Sequence, residues 1–190
     1  MKKLLFCCIA LFFFAVIAHG QTPSQDDQMK AFRDYMTPGE WHKKLAKDDG
    51  EWKAEVSMWM DPSQPPTKST AKMINKMILG GRYQESRFTG EFMGMPMEGI
   101  GTIAYDNTRK IFLSTWIDNL GTGMMYMEGK WDEATKSIIL EGESLDPMLG
   151  KMVKIKETFK YIDDNNQLME MFMIQDGKEI KTMEIKLTRS

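Results

Sequence analysis

From Glu51 to the end of the chain, apolar and polar residues alternate in short runs, and clusters of Gly, Asp, Asn and Pro interrupt the alternation at regular intervals. Period-two patterning of this kind marks half-buried strands, and the spacing predicts ten of them. They fall near 51–60, 70–79, 82–88, 97–105, 111–118, 124–131, 136–143, 151–162, 168–174 and 179–188. The intervening turns resemble one another. Tyr105-Asp106-Asn107-Thr108-Arg109-Lys110 and Trp131-Asp132-Glu133-Ala134-Thr135-Lys136 share an order of aromatic, Asp, polar residues with Thr, then a base, and Asp163-Asp164-Asn165-Asn166 makes a third polar reversal. Asp and Asn accept hydrogen bonds from the backbone that follows them and tolerate left-handed angles, so each site reverses the chain locally. Consecutive strands joined by short reversals predict an all-β antiparallel meander closed into a barrel of about ten strands.

The pattern before Glu51 is helical. Ser24 can cap a segment that presents Met29, Phe32 and Met36 on one side. Thr37-Pro38-Gly39-Glu40 reads as a capping box with proline at the first helical position, opening a second helix that carries Trp41 and Leu45 and stops at Asp48-Asp49-Gly50. The domain division is therefore a helical segment at 21–49 and a barrel at 50–190.

Some faces can be assigned from the pattern. A three-residue loop at Gln175-Asp176-Gly177 places Met169, Met171 and Met173 on one face with Met183, Ile185 and Leu187, whereas a two-residue loop would set Thr182 and Glu184 beside the methionines; hydrophobic consistency favours the longer loop. In IFLSTWID both faces are apolar, so Phe112, Ser114, Trp116 and Asp118 look inward or outward with equal justification. RYQESRF likewise leaves open whether Glu85 and Arg87 or Gln84, Ser86 and Phe88 face in. The segment GIGTIA contains the spacing of a dinucleotide fingerprint, yet a strand and a polar turn follow where a phosphate-binding helix is required. Gly99 and Gly101 instead fall on one face of a strand and permit close approach.

Residues 1–20 change the compartment. Lys2 and Lys3 precede an apolar run from Leu4 to Ala18, followed by small residues, which predicts a secretory signal peptide cleaved before Gln21 and an exported product, periplasmic or extracellular. Bulky Leu5 and Phe6 before Cys7 and Cys8 disfavour a lipid-anchor site. Both cysteines lie in that leader, so the remaining chain has neither disulfides nor thiolate ligands. The leader also holds two of the 25 basic residues and none of the 27 acidic ones, leaving a net charge of about −4 without a basic block, which argues against nucleic acid as a partner. No later segment suits a membrane span, and a homodimer is compatible with the composition.

LGGRY at Leu79–Tyr83, GIGTIAYDNTRKIFLSTWIDNLGTG at Gly99–Gly123, GKWDEATKSI at Gly129–Ile138 and KTMEIKLTR at Lys181–Arg189 resemble the bacterial family catalogued as domain of unknown function 1579, over about Trp41 to Arg189. The resemblance implies a lipocalin-like barrel without an assigned activity. Gly50-Glu51-Trp52 is in addition similar to the G-x-W signature of lipocalin-type barrels, which implies that Arg189 of the last strand stacks on Trp52 to close one barrel end.

Methionine supplies the candidate chemistry. Nineteen occur, many spaced by two, which on a strand puts the thioethers on one face. They can fill a core, line an adaptable cavity for an apolar or amphipathic small molecule, or hold Cu(I), with MGMPM at Met93–Met97 the candidate for the metal. The cavity reading assigns Met58, Met73, Met77, Trp116, Asp118, Met125, Met127, Met171 and Met183 to the ligand. Asp118 can alternatively accept backbone hydrogen bonds in Asn119-Leu120-Gly121. Beyond the leader only His42 remains among histidines, placed by pattern on the polar side of the second helix, so Ser-His-Asp, Cys-His and His-zinc systems are very hard to assemble and carboxylates such as Asp118, Glu85 and Glu128 are what an enzyme would have to use. No catalytic residue, metal or cofactor is assigned.

Overall fold

The computed structural model describes residues 23–147 and 149–190; the predicted leader lies outside them. Two helices, α1 (Gln25–Met36) and α2 (Glu40–Ala46), precede ten strands: β1 (Gly50–Met58), β2 (Thr67–Ile78), β3 (Tyr83–Phe92), β4 (Met95–Asp106), β5 (Ile111–Asp118), β6 (Met125–Asp132), β7 (Ser137–Asp146), β8 (Lys151–Tyr161), β9 (Asn166–Gln175) and β10 (Lys178–Arg189). Each strand pairs antiparallel with its neighbours in sequence, and β10 returns to pair with β1, closing the barrel. The ten strands lie where alternation placed them.

The Asx turns work as their composition requires. The Asp106 carboxylate accepts from the Thr108 and Arg109 amides, Asp132 accepts from the Thr135 amide and hydroxyl, and Asp163 accepts from the Asn165 amide. Lys110 and Lys136, at matching places in the two echoing turns, both adopt positive φ. Asn107 does something different. Its side-chain amide donates to the carbonyls of Thr37 and Asp34, fastening the end of α1 to the barrel.

The barrel has unlike ends. At one, α2 lies across the opening and drives Leu45 into a cluster with Phe112, Met127, Ile138 and Leu140, against which Trp41 and Trp131 also pack. The chain leaving α2 is tied down on every side. Gln84 donates to the Leu45 carbonyl and the Asp49 carboxylate, the Met77 amide to Asp49, Gln167 to the Asp48 carboxylate, and the Trp52 indole to the Asp48 carbonyl. The Arg189 guanidinium stands 4.3 Å from the centre of the Trp52 ring and donates to the carbonyls of Lys47, Asp49 and Asp164. The other end carries the hairpin tips at 59–66, 93–94, 119–124, 149–150 and 176–177, with no helix over it among the described residues.

Three local readings are corrected. Gly39, not Thr37, is the N-cap of α2, and His42 reaches back to accept from the Gly39 amide; the Thr37 hydroxyl instead bonds the Arg33 carbonyl at the end of α1. His42 is therefore buried rather than exposed, edge-on to Tyr105, because a plugging helix buries more of its circumference than one lying on a surface. The β9–β10 hairpin has a two-residue loop, with Asp176 and Gly177 both at positive φ and Gln175 paired to Lys178. The hydrophobic faces nevertheless match, since a bulge at Thr182 inserts the residue that the shorter loop omits.

Candidate functional site

The lumen is defined by the residues that share the inward face with Trp52 and Leu140, which are almost wholly buried. Cross-strand register carries Met58 to Met183, Met183 to Met171, Met171 to Glu157 and Glu157 to Leu140, so four neighbouring strands present three thioethers and a carboxyl in one row. Directly opposed side chains in such a row lie about 5 Å apart at Cβ. Met169 and Met173 flank this row on β9. The facing wall contributes Met73 and Met77 from β2, Trp116 from β5, and Met125 and Met127 from β6. All of the methionines assigned to a ligand thus point into the barrel. MGMPM does not gather there: Met93 and Gly94 form the two-residue β3–β4 turn, and Met95 and Met97 share the inward face of β4, with Met95 exposed at the rim.

Burial within the lumen is graded. Phe112, Met127, Ile138 and Leu140, beneath α2, are each about 1% exposed. Met58, Met171, Met173, Met183, Ser114 and Glu157 point inward as well, but are only half-buried. A recess of about 420 Å³ opens at the rim between β3, β4 and β5, where Phe88, Gly99 and Asp118 of the inner face meet Arg87, Glu98 and Asn119.

Trp116 organises the mouth side. Gly99 and Gly101 of β4 lie against its ring, and a Cβ at Gly99 would stand 2.2 Å from the indole Cζ2 atom. The two glycines of the fingerprint-like segment thus leave space for an indole rather than for a phosphate. The Trp116 indole donates to one Asp118 oxygen at 2.7 Å, while the other accepts from the Leu120 and Gly121 amides at 2.9 and 3.1 Å. The inward orientation and the turn-capping role, alternatives in the sequence, both hold. Glu85 pairs with Arg87 on the outer face, and Glu128 bonds Arg109 and Tyr126 there, so neither carboxylate reaches the lumen.

Two acids inside the barrel, Asp48 and Glu157, are not among the carboxylates that the sequence singled out. Burial pushes Asp48, under α2, up to about 6, against the opposing pull of the Tyr161 and Gln167 hydrogen bonds and the Arg189 charge. Glu157 sits midway up the lumen, where desolvation raises its carboxyl to about 7. Among the described residues nothing hydrogen-bonds or ion-pairs with it. The pattern that exposes it is in β8, KMVKIKETFKY: Lys154, Lys156, Thr158 and Lys160 form the polar face, which leaves Glu157 among Val153, Ile155, Phe159 and Tyr161.

The class the fold and interior define is a closed ten-stranded antiparallel meander barrel with a helix across one end and a graded, methionine-rich interior. The chain belongs to the family described as protein of unknown function (DUF1579), whose model matches residues 37–189. Among solved structures it is similar to the crystal structure of Rv2717c from M. tuberculosis, with a TM-score of 0.59 at 15% identity, covering 81% of this chain and 99% of that one. That likeness concerns the fold. No curated protein matches the chain.

Proposed function

We propose that this protein is an exported binding protein that encloses a small hydrophobic or amphipathic molecule among the lumen methionines. The observation that carries the reading is the graded burial: inward residues are packed shut beneath α2, yet the methionines toward the opposite end retain accessible surface within a closed sheet. Affinity would come from burying apolar ligand surface at roughly 25 cal/mol per Å², and unbranched thioethers adjust to guests of different shape. Trp116 and Asp118 orient the guest at the mouth.

The outer face supports a role in water rather than in a bilayer. Lys53, Glu55, Lys72, Lys76 and Lys154 point outward from mid-strand positions, and a lipid-facing barrel wall would carry an apolar band there. No helix among the described residues is long and apolar enough to cross a membrane. The leader-like first twenty residues support export to the periplasm or beyond.

Native mass spectrometry of the protein as purified tests the reading, with a co-purified molecule or saturable uptake of an environment-sensitive apolar dye as the expected result. Replacing Ser114 and Met171 together by Phe should abolish uptake with the thermal transition retained. A dye that binds the double variant as well as the parent protein would place binding outside the lumen and overturn the proposal.

A second reading rests on the Met58–Met183–Met171 row, since thioethers suit Cu(I). Anaerobic competition with a colorimetric Cu(I) chelator separates the two. Stoichiometric retention that disappears when Met171 and Met183 become Leu supports the metal; no retention removes it.

A further inference from the structure

We infer that the lumen selects guests bearing a cationic amine, which Glu157 receives at mid-depth. The inference rests on the lumen reading above and adds the chemical class of its ligand.

The first observation is the isolation of Glu157. Its cross-strand neighbours are Leu140 on β7 and Met171 on β9, and its inward neighbours along β8 are Ile155 and Phe159. None of these side chains can donate a hydrogen bond. A polar side chain placed in an apolar wall without a partner is costly unless something else completes it. The other buried acid shows what completion looks like, for Asp48 has the Gln167 amide at 2.7 Å and the Tyr161 hydroxyl. Glu157 has the place for such a partner and lacks the partner.

The second observation is the sign of the interior. At mid-depth the inward positions hold Glu157 and no lysine or arginine; the mouth carries Asp118, with Asp146 opposite Lys151 and with Lys178 on inward positions at the exposed strand ends of the rim. Lys154, Lys156 and Lys160 of β8 are turned outward, and Lys151 shares the inward face only at the exposed start of the strand. At mid-depth a carboxylate guest would meet Glu157 and no base. An amine would pass Asp118 and the face of Trp116, then meet thioether sulfurs and finally Glu157, each of which attracts positive charge. With the guest bound, its ammonium and the carboxylate form an enclosed ion pair, the arrangement in which a buried charge is tolerated. The hydrocarbon part of the guest lies along Met58, Met183 and Met171.

Calorimetric titration with decylamine, decanol and decanoate, which share a chain and differ in head group, tests this. The amine should bind at least tenfold more tightly than the alcohol, and decanoate should bind least. In Glu157→Gln the amine preference should fall below threefold with decanol affinity unchanged. Lowering the pH of the unaltered protein from 8 to 5 should weaken the amine alone, without any variant that could fail to fold. The other charged groups on the lumen face are Asp118, Asp146, Lys151 and Lys178 at the mouth and Asp48 beneath α2, and Asp118→Asn should reduce amine affinity less than Glu157→Gln. Binding of decanol with no preference for the amine, or a preference that survives Glu157→Gln, overturns the inference and leaves the lumen reading standing. Binding of none of the three overturns both.

Discussion

At the scale of single residues, two positions show how the interior is made and what it costs. Gly99 is required by the ring opposite it: a Cβ there would come within 2.2 Å of Trp116 Cζ2, so any larger residue must displace an indole that is hydrogen-bonded to Asp118. Gly99→Ala should therefore destabilise the fold by about 1–3 kcal/mol, the usual range for overpacking, and change Trp fluorescence; equilibrium urea unfolding followed by that emission measures both. Glu157 contributes in the opposite direction from most carboxylates. Its ordinary value of 4.5 in the unfolded chain rises to about 7 in the barrel, so between these pH values the folded state binds more protons and stability falls as pH rises. Asp48, raised to about 6, adds to the same slope. Glu157→Gln should leave stability little changed at pH 4 and raise it at pH 8 by about 1–3 kcal/mol, the rise from 4.5 to about 7 being discounted because the side chain is only half-buried. Unfolding curves at the two pH values check the sign, and a variant equally stabilised at both would show that Glu157 does not titrate between them.

At the scale of elements, the β9–β10 hairpin shows what alternation can and cannot reveal. Counting apolar positions identifies correctly which residues look inward, because that choice is enforced along the whole strand by burial of Met169, Met171, Met183, Ile185 and Leu187. It misplaces the extra residue, putting it in the loop rather than in the strand, since either location satisfies the same count. Asp176-Gly177 is itself a strong two-residue turn signal, with both residues at positive φ, and the bulge at Thr182 follows from accepting it. The Thr182 carbonyl receives the Trp59 amide and its hydroxyl bonds the Met171 carbonyl, so the bulge also anchors the chain leaving β1. Deleting Thr182 should leave a regular ladder in which Ile180 and Met183 remain inward, and the barrel should fold with a loss of about 1–2 kcal/mol for the hydrogen bonds. Deleting Glu184 should fail, because Met183 and Ile185 become adjacent and one of them must turn outward. Far-UV circular dichroism and thermal melts distinguish the pair. The same limit explains α2. Its seven residues have the pattern of a surface helix with one apolar side, but a helix seated in a barrel end is surrounded, and His42 is buried with its ring turned back on Gly39. Ten strands are legible because each is specified locally by its own alternation and turns. Glu157 is marked by the same alternation, as the one acid on the apolar face of β8, although it is not among the carboxylates singled out from the sequence, whereas the burial of Asp48 and His42 depends on the docking of α2, which no local pattern encodes.

At the scale of the whole molecule, the barrel divides into a sealed half and an accessible half, and this division links stability to function. The sealed half contains Leu45, Trp41 and Phe112 in contact, the Asp48 and Asp49 hydrogen-bond set, and Arg189 over Trp52. In the proposed reading a guest enters from the end carrying the hairpin tips, where opening disrupts none of these contacts. Local opening needs less free energy where few buried contacts are lost, so amides near Trp52, Gln84, Phe112 and Gln167 should exchange with solvent only through global unfolding, whereas those bordering 59–66, 93–94 and 119–124 should exchange through smaller openings. Arg189→Ala perturbs the sealed end alone. It removes three hydrogen bonds to carbonyls and the cation on the indole face, which should cost about 2–4 kcal/mol and selectively raise exchange at 47–52. If the lumen is filled from the opposite end, decylamine affinity should change less than twofold in that variant despite the loss of stability. Accelerated exchange confined to the hairpin tips, or amine binding that falls in step with stability, would show that the two halves are not independent and that entry passes through the helix-covered end.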